Sequence, residues 1–255
     1  LASIVWYKLG NLVFKNKTAG LISAITFICL VYDIGPKSSS FAALLLIPLF
    51  LYLWLKYELT EKRKFAIFTG ITLGIIALTQ GSRFLTALAL IIGYVIFNFL
   101  LEFFKTKKRL NLIKEYLKKY YLIFIIALII SMIFFLPLIL KYQMHSVNNV
   151  TEWGDSKLEN LNVTWAMKNI TKVFFNTSNI ALFIASIISL TGLVILSFSK
   201  NKKEIKWLLT ILVINIISMQ HHLITKPLLG VSFLPQKLVY VTYLAPLFFT
   251  AGFLF

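Results

Sequence analysis

The run YYLIFIIALIISMIFFLPLIL, residues 120–140, holds no charged side chain and is bounded by Lys118 and Lys119 on one side and Lys141 on the other. A helix of ~20 residues crosses the ~30 Å hydrocarbon core of a bilayer. The run therefore reads as a membrane-spanning helix with cations at both ends, where they can reach lipid headgroups. Eight further apolar stretches lie around it, at 1–14, 18–32, 41–56, 65–79, 84–101, 179–198, 205–222 and 238–255. In hydrocarbon only a helix satisfies its own backbone within one segment, and these runs are too long for barrel strands. The expected fold class is all-α, a polytopic transmembrane bundle of eight or nine helices forming one domain over residues 1–255.

Composition agrees. The chain is 59% apolar and only 14% charged, with a mean hydropathy of +0.84, which argues against a soluble enzyme or a disordered tail. The net charge of +17 would suit nucleic acid, but the cations sit in short clusters between apolar runs rather than on one soluble face. No nucleic-acid partner is expected. The chain opens at Leu1 inside one apolar run and closes at Phe255 inside another, so an internal fragment is expected. The single Cys29 and three scattered histidines supply neither a disulfide framework nor a thiol or imidazole metal set.

The cations also set an orientation. If the breaks alternate sides, one side receives 18 Lys and Arg, at Lys8, Lys15 and Lys17 and in the breaks 56–64, 105–119 and 200–206. The other side receives 8. The positive-inside rule makes the first side cytoplasmic and puts the loop 141–178 outside a multi-pass cell-membrane protein. Within 105–120, Leu110, Ile113, Leu117 and Tyr120 recur at helical spacing among lysines, which predicts a cytoplasmic interfacial helix over 102–119, lying on anionic lipid.

Chemistry is expected on the outer side. Ionisable groups close to hydrocarbon are kept at a cost and deserve a functional reading. Arg83 follows the fourth run, Lys141 ends the sixth, and Lys237 opens the last in FLPQKLVYV, with Gln236 beside it. Asn215, Ser218 and His222 fall at i, i+3 and i+7, and with His221 they predict a polar stripe facing a wet cavity or an interhelical seam. Snorkelling to headgroups is the plainer reading of the three cations, and packing that of the histidines. The convergence of Arg83, Lys141 and Lys237 near one face suits a lipid-linked phosphate or diphosphate. The outer loop carries Glu152, Asp155 and Glu159, which could supply a catalytic base or hold Mg²⁺ or Mn²⁺. It also carries sequons at Asn149, Asn162, Asn169 and Asn176, of a kind that a chain rich in Asn, Lys and Ile generates by chance.

Residues 41–97, FAALLLIPLFLYLWLKYELTEKRKFAIFTGITLGIIALTQGSRFLTALALIIGYVIF, resemble the middle of GT-C superfamily membrane glycosyltransferases. There a helix, a basic cytoplasmic turn and a helix of G-x-x-L-G-x-x-x-L-T type precede a polar outer turn, and the marks in this chain are Gly70, Gly74, Leu78 and Thr79. WYKLGNLVFKNKTAGLISAITFIC upstream, and FFLPLILKYQ and FLPQKLVYVTYLAPLFFTAGF downstream, are similar to the flanking helices of archaeal and bacterial relatives. The resemblance implies transfer of a sugar from a polyprenyl-phosphate or diphosphate donor to a glycan, lipid or protein acceptor on the outer face. It places the main catalytic acid in a first outer loop upstream of Leu1. It also matches Lys237, after Pro235, to a late-helix arginine that approaches the donor phosphate. Lysine keeps that charge without the bidentate fork. Glu152, in NNVTEWG, is the position to compare with a later-loop acid of oligosaccharyltransferase subunits.

Two other classes stand beside the transferase. A transporter or lipid-linked-sugar flippase would show inverted repeats and paired helix breaks, and Pro48, Pro137 and Pro246 form no matched pair. An assembly subunit would use the outer cations only as anchors.

Overall fold

The computed structural model describes residues 1–34, 45–79, 81–105, 109–142, 180–198, 202–219 and 241–254. Every regular element among them is a helix: α1 Ala2–Phe14, α2 Lys17–Ile34, α3 Ile47–Thr60, α4 Arg63–Thr79, α5 Gly81–Phe103, α6 Arg109–Tyr142, α7 Ile180–Ser197, α8 Lys202–Met219 and α9 Val241–Phe253. Each of the nine apolar runs lies largely on one of these helices. Two stretches, Arg83–Phe103 and Leu110–Lys141, are long and apolar enough to cross a membrane.

The helices stop where charge enters. Lys15 and Glu61, the two non-glycine residues with positive φ among the described residues, take left-handed conformations just after α1 and α3. After α3 the Glu61 N–H donates to the Tyr57 carbonyl at 2.7 Å, satisfying one of the last-turn acceptors that an ending helix leaves open. At the next start, Asn16 Oδ1 accepts from the Thr18 N–H at 2.8 Å and caps α2.

Packing is close where side chains are small. The glycines of the G-x-x-L-G run face α6. A Cβ on Gly70 would stand 2.8 Å from the Ile123 carbonyl oxygen, and one on Gly74 2.6 Å from Ile130 Cβ. The paired advance from 70 to 74 and from 123 to 130 makes α4 and α6 parallel. In helix pairs that are apolar all round, such small-residue approach supplies the packing that a hydrophobic driving force does not. Three tryptophans, Trp6, Trp54 and Trp207, are the largest fully buried side chains. Trp54 meets Trp207 of α8 and Tyr94 of α5 edge-on, with ring centroids 5.4 and 5.1 Å apart. Ser23 of α2 and Thr250 of α9 share a buried hydroxyl hydrogen bond of 2.8 Å.

The outside of the molecule is apolar too. Leu128, Ile129, Ile133 and Leu140 of α6, Val194 of α7 and Ile217 of α8 are all exposed.

The stretch 102–119, expected as an interfacial helix, is divided between two helices among the described residues. Residues 102 and 103 close α5, and 109–119 run without interruption into the apolar stretch as one helix, α6. Nothing between 109 and 136 is Gly or Pro, so no residue breaks the ladder. Leu112 is 6% exposed, while Leu110 and Leu117 are 76% and 65% exposed. Of the stripe read from spacing, Leu110, Ile113 and Leu117 are exposed and only Tyr120 turns inward, where with Leu112 it holds this end of the helix to the core.

Gly74→Leu should force α4 from α6 and lower the thermal unfolding temperature of the purified chain, at a cost of about 1–3 kcal/mol. Phe68→Leu, on the exposed side of the same helix, should leave that temperature nearly unchanged. Equal effects would show that the glycine contact does not hold the two helices.

Candidate functional site

The densest polar constellation among the described residues surrounds Glu58, one turn after Trp54 on α3. Helical spacing brings Trp54 and Glu58 to the same side, and Trp54 Nε1 donates to Glu58 Oε1 at 3.2 Å. The Tyr120 hydroxyl of α6 donates to the same oxygen at 2.7 Å. Lys119 Nζ pairs with Oε2 at 2.9 Å, and with Glu61 at 3.5 Å. Glu58 is 8% exposed at its side chain and Glu61 72%, so the first is the interior partner and the second the solvent-side one. The Tyr57 hydroxyl donates to the Lys119 carbonyl and closes the junction.

A buried carboxylate is tolerable only when paired and hydrogen-bonded, and Glu58 is both. Tyr57 follows the apolar run of α3 and Lys119 precedes that of α6, so both stand in polar breaks. Burial pushes the Tyr57 phenol above its ordinary value. For Lys119 burial alone would lower the pKa, but Glu58 and Glu61 outweigh it and hold the ammonium above the usual lysine value. The Lys119 ammonium thus ties α6 to the end of α3 through Glu58 and Glu61.

A second buried acid repeats the device. Glu204, at the start of α8, pairs with Lys15 at 2.8 Å and links the α1–α2 break to the break before α8.

Beside the Glu58 junction lies a cavity of about 520 Å³ between the start of α4, the end of α5 and the start of α6. Its walls include Arg63, Lys118 and Lys119 and also Glu61, Glu102 and Glu115. None of these residues was expected to form a site. The signal in the sequence is faint: acids placed inside breaks that are otherwise basic, and the four-residue interval from Trp54 to Glu58.

The residues that were expected to act are partly placed. Phe84 of α5 and Phe135 of α6 have ring centroids 5.9 Å apart, so the beginning of α5 lies beside the later part of α6, and Arg83 and Lys141 stand at neighbouring helix ends. Both are already engaged in interactions, as is Ser218. Asn215 is 1% exposed and buried in the bundle, and neither its amide nitrogen nor its amide oxygen has a hydrogen-bond partner among the described residues. Its neighbour Ile214 packs where Gly93 of α5 has no side chain. The polar stripe therefore begins inside the bundle. His221, His222, Gln236, Lys237, Glu152 and Asp155 lie outside the described residues, as does most of the loop 141–178. Among the described residues no three His, Cys, Asp or Glu side chains form a metal-holding group.

Glu58→Ala would strand Trp54 Nε1, the Tyr120 hydroxyl and Lys119 together and should destabilise the chain by about 3 kcal/mol. Glu61→Ala should change stability by less than about 0.5 kcal/mol. Chemical denaturation of the two variants checks this, and similar midpoints would remove Glu58 from its central role. No protein-family model, curated protein or solved structure matches this chain.

Proposed function

We propose that the chain is a polytopic membrane protein of GT-C-like architecture that transfers a sugar from a polyprenyl-phosphate-linked donor to an acceptor on the outer face. The membrane part of this reading is carried by the apolar exterior. Exposed leucines, isoleucines and valines cover the outward sides of several helices, including both of the long ones. A surface of that kind in water would aggregate, and in lipid it is matched. The ion pairs Lys15–Glu204 and Lys119–Glu58 each join two basic breaks, in keeping with a shared cytoplasmic face for those breaks.

The transfer part draws on Asn215. A buried amide with no partner among the described residues is expected where a polar ligand or water enters the interior. Arg83 and Lys141 at adjoining helix ends, joined by Lys237, would offer positive charge to a donor phosphate. In the proposed reaction the acceptor oxygen bonds to the anomeric carbon as the bond from that carbon to the phosphate oxygen breaks. An acid upstream, or Glu152 or Asp155, takes the acceptor proton, and the cations stabilise the departing polyprenyl phosphate. A flippase or transporter would also use a polar group inside the bundle, so Asn215 favours that second reading as well.

A transfer assay with labelled polyprenyl-phosphate sugar separates them, because only a transferase makes a new glycosidic bond. Lys237→Ala in the complete protein should lower transfer about 100-fold without altering insertion, and Lys237→Arg should restore much of it. Unchanged transfer would remove Lys237 from the mechanism, and movement of the lipid-linked sugar with no bond formed would favour the transporter. Asn215→Leu should raise the unfolding temperature while lowering transfer, since it removes an unsatisfied pair of polar atoms. A loss of stability in that variant would mean that Asn215 has a structural partner.

A further inference from the structure

We infer that the cavity between α4, α5 and α6, together with the groove beside it, is a binding site for a phospholipid whose headgroup carries both a phosphate and a primary ammonium. The charge of the walls leads to the headgroup. Lys119 and Glu61 are 3.5 Å apart and offset one another, and Lys119 also serves Glu58. That leaves Arg63 and Lys118 as cations and Glu102 and Glu115 as carboxylates around about 520 Å³, a volume within the ~300–1,000 Å³ typical of small-molecule sites. Two cations with two carboxylates do not favour a simple anion or a simple cation. They fit a zwitterion, the phosphate taken by guanidinium and ammonium groups and the lipid's own ammonium by carboxylates. A primary ammonium donates three hydrogen bonds, and a quaternary one donates none.

The second wall observation leads to a lipid rather than a small soluble zwitterion. An apolar groove of about 240 Å³ runs between α5 and α6, lined by Val95, Ile96, Phe99 and Phe124 among others. Tyr116 and Tyr121 line both the groove and the polar cavity. The two spaces are thus joined at aromatic side chains, the residue type that sits between headgroup and acyl chain at a bilayer surface. The polar space would hold the headgroup and the groove the first part of a chain. The inference rests on the membrane reading above and is independent of sugar transfer.

The test is native mass spectrometry of the full chain in detergent, offered equal amounts of phosphatidylethanolamine, phosphatidylcholine and phosphatidylglycerol. The ethanolamine lipid should be retained about tenfold better than the other two, the effect of one charge-assisted hydrogen bond. Glu102→Gln with Glu115→Gln should reduce it to the level of the choline lipid, and Arg63→Gln with Lys118→Gln should weaken both. Ile96→Trp, on an exposed groove wall, should displace all three and serves if a charge variant fails to fold. Equal retention of the three lipids overturns the site. So does a preference for phosphatidylglycerol, which would mark the cations as general anchors, or an ethanolamine preference that survives every variant. A chain that stays monodisperse without detergent would overturn the membrane reading itself, whereas a detergent-requiring chain with no ethanolamine preference overturns only this site.

Discussion

The Glu58 carboxylate is the point at which four helices depend on one charge. It takes hydrogen bonds from Trp54 on its own helix and Tyr120 on α6, and an ion pair from Lys119. Trp54 in turn packs against Tyr94 of α5 and Trp207 of α8. The apolar contacts give area but little direction, because helices that are apolar on every side can rotate against one another at small cost. A buried carboxylate with directed donors removes that freedom. It fixes the rotation of α3 and α6, and through the indole it sets the faces that α5 and α8 present.

Most of the fold was legible in hydropathy for one reason: a backbone in an apolar environment must close its own hydrogen bonds, and long uncharged runs can do so only as helices. Each of the nine runs, from 1–14 to 238–255, accordingly falls largely on a helix among the described residues. The stretch 109–119 shows what periodicity leaves open. Leu110, Ile113 and Leu117 do form a stripe, but periodicity alone cannot say whether a stripe faces protein or its surroundings. Both kinds of stripe exist here on one continuous helix, and the side through Leu112 and Tyr120 is the one that packs inward. The helix ends were legible less well, since Lys15 and Glu61 stop their helices in left-handed conformations usually taken by glycine.

The polar sites were harder to see. Reading Lys and Arg as markers of sidedness treats the breaks as solvated, and so passes over single acids placed among them. Glu58 and Glu204 are such acids, and both are buried. Asn215 was legible because an amide inside an apolar run stands out against its neighbours, and it does prove buried. Its partnerless state was not legible, because that depends on which helix lies opposite. Arg83 and Lys141 are far apart in sequence and become neighbours in helix ends only through the pairing of α5 with α6, shown by Phe84 against Phe135.

The acids in the Lys-rich breaks are placed in a way that a signal for sidedness would not require. A signal for sidedness needs only cations, and acids contribute little to it. Yet Glu58, Glu61, Glu102, Glu115 and Glu204 all lie in or next to those breaks, against four acids elsewhere in the chain. Two of the five are buried in ion pairs, and the other three line one cavity. Acids scattered among lysines by composition alone would be expected to sit singly in solvent. Their collection at helix junctions and around a single space instead marks the places where charge, rather than apolar contact, ties one helix to the next.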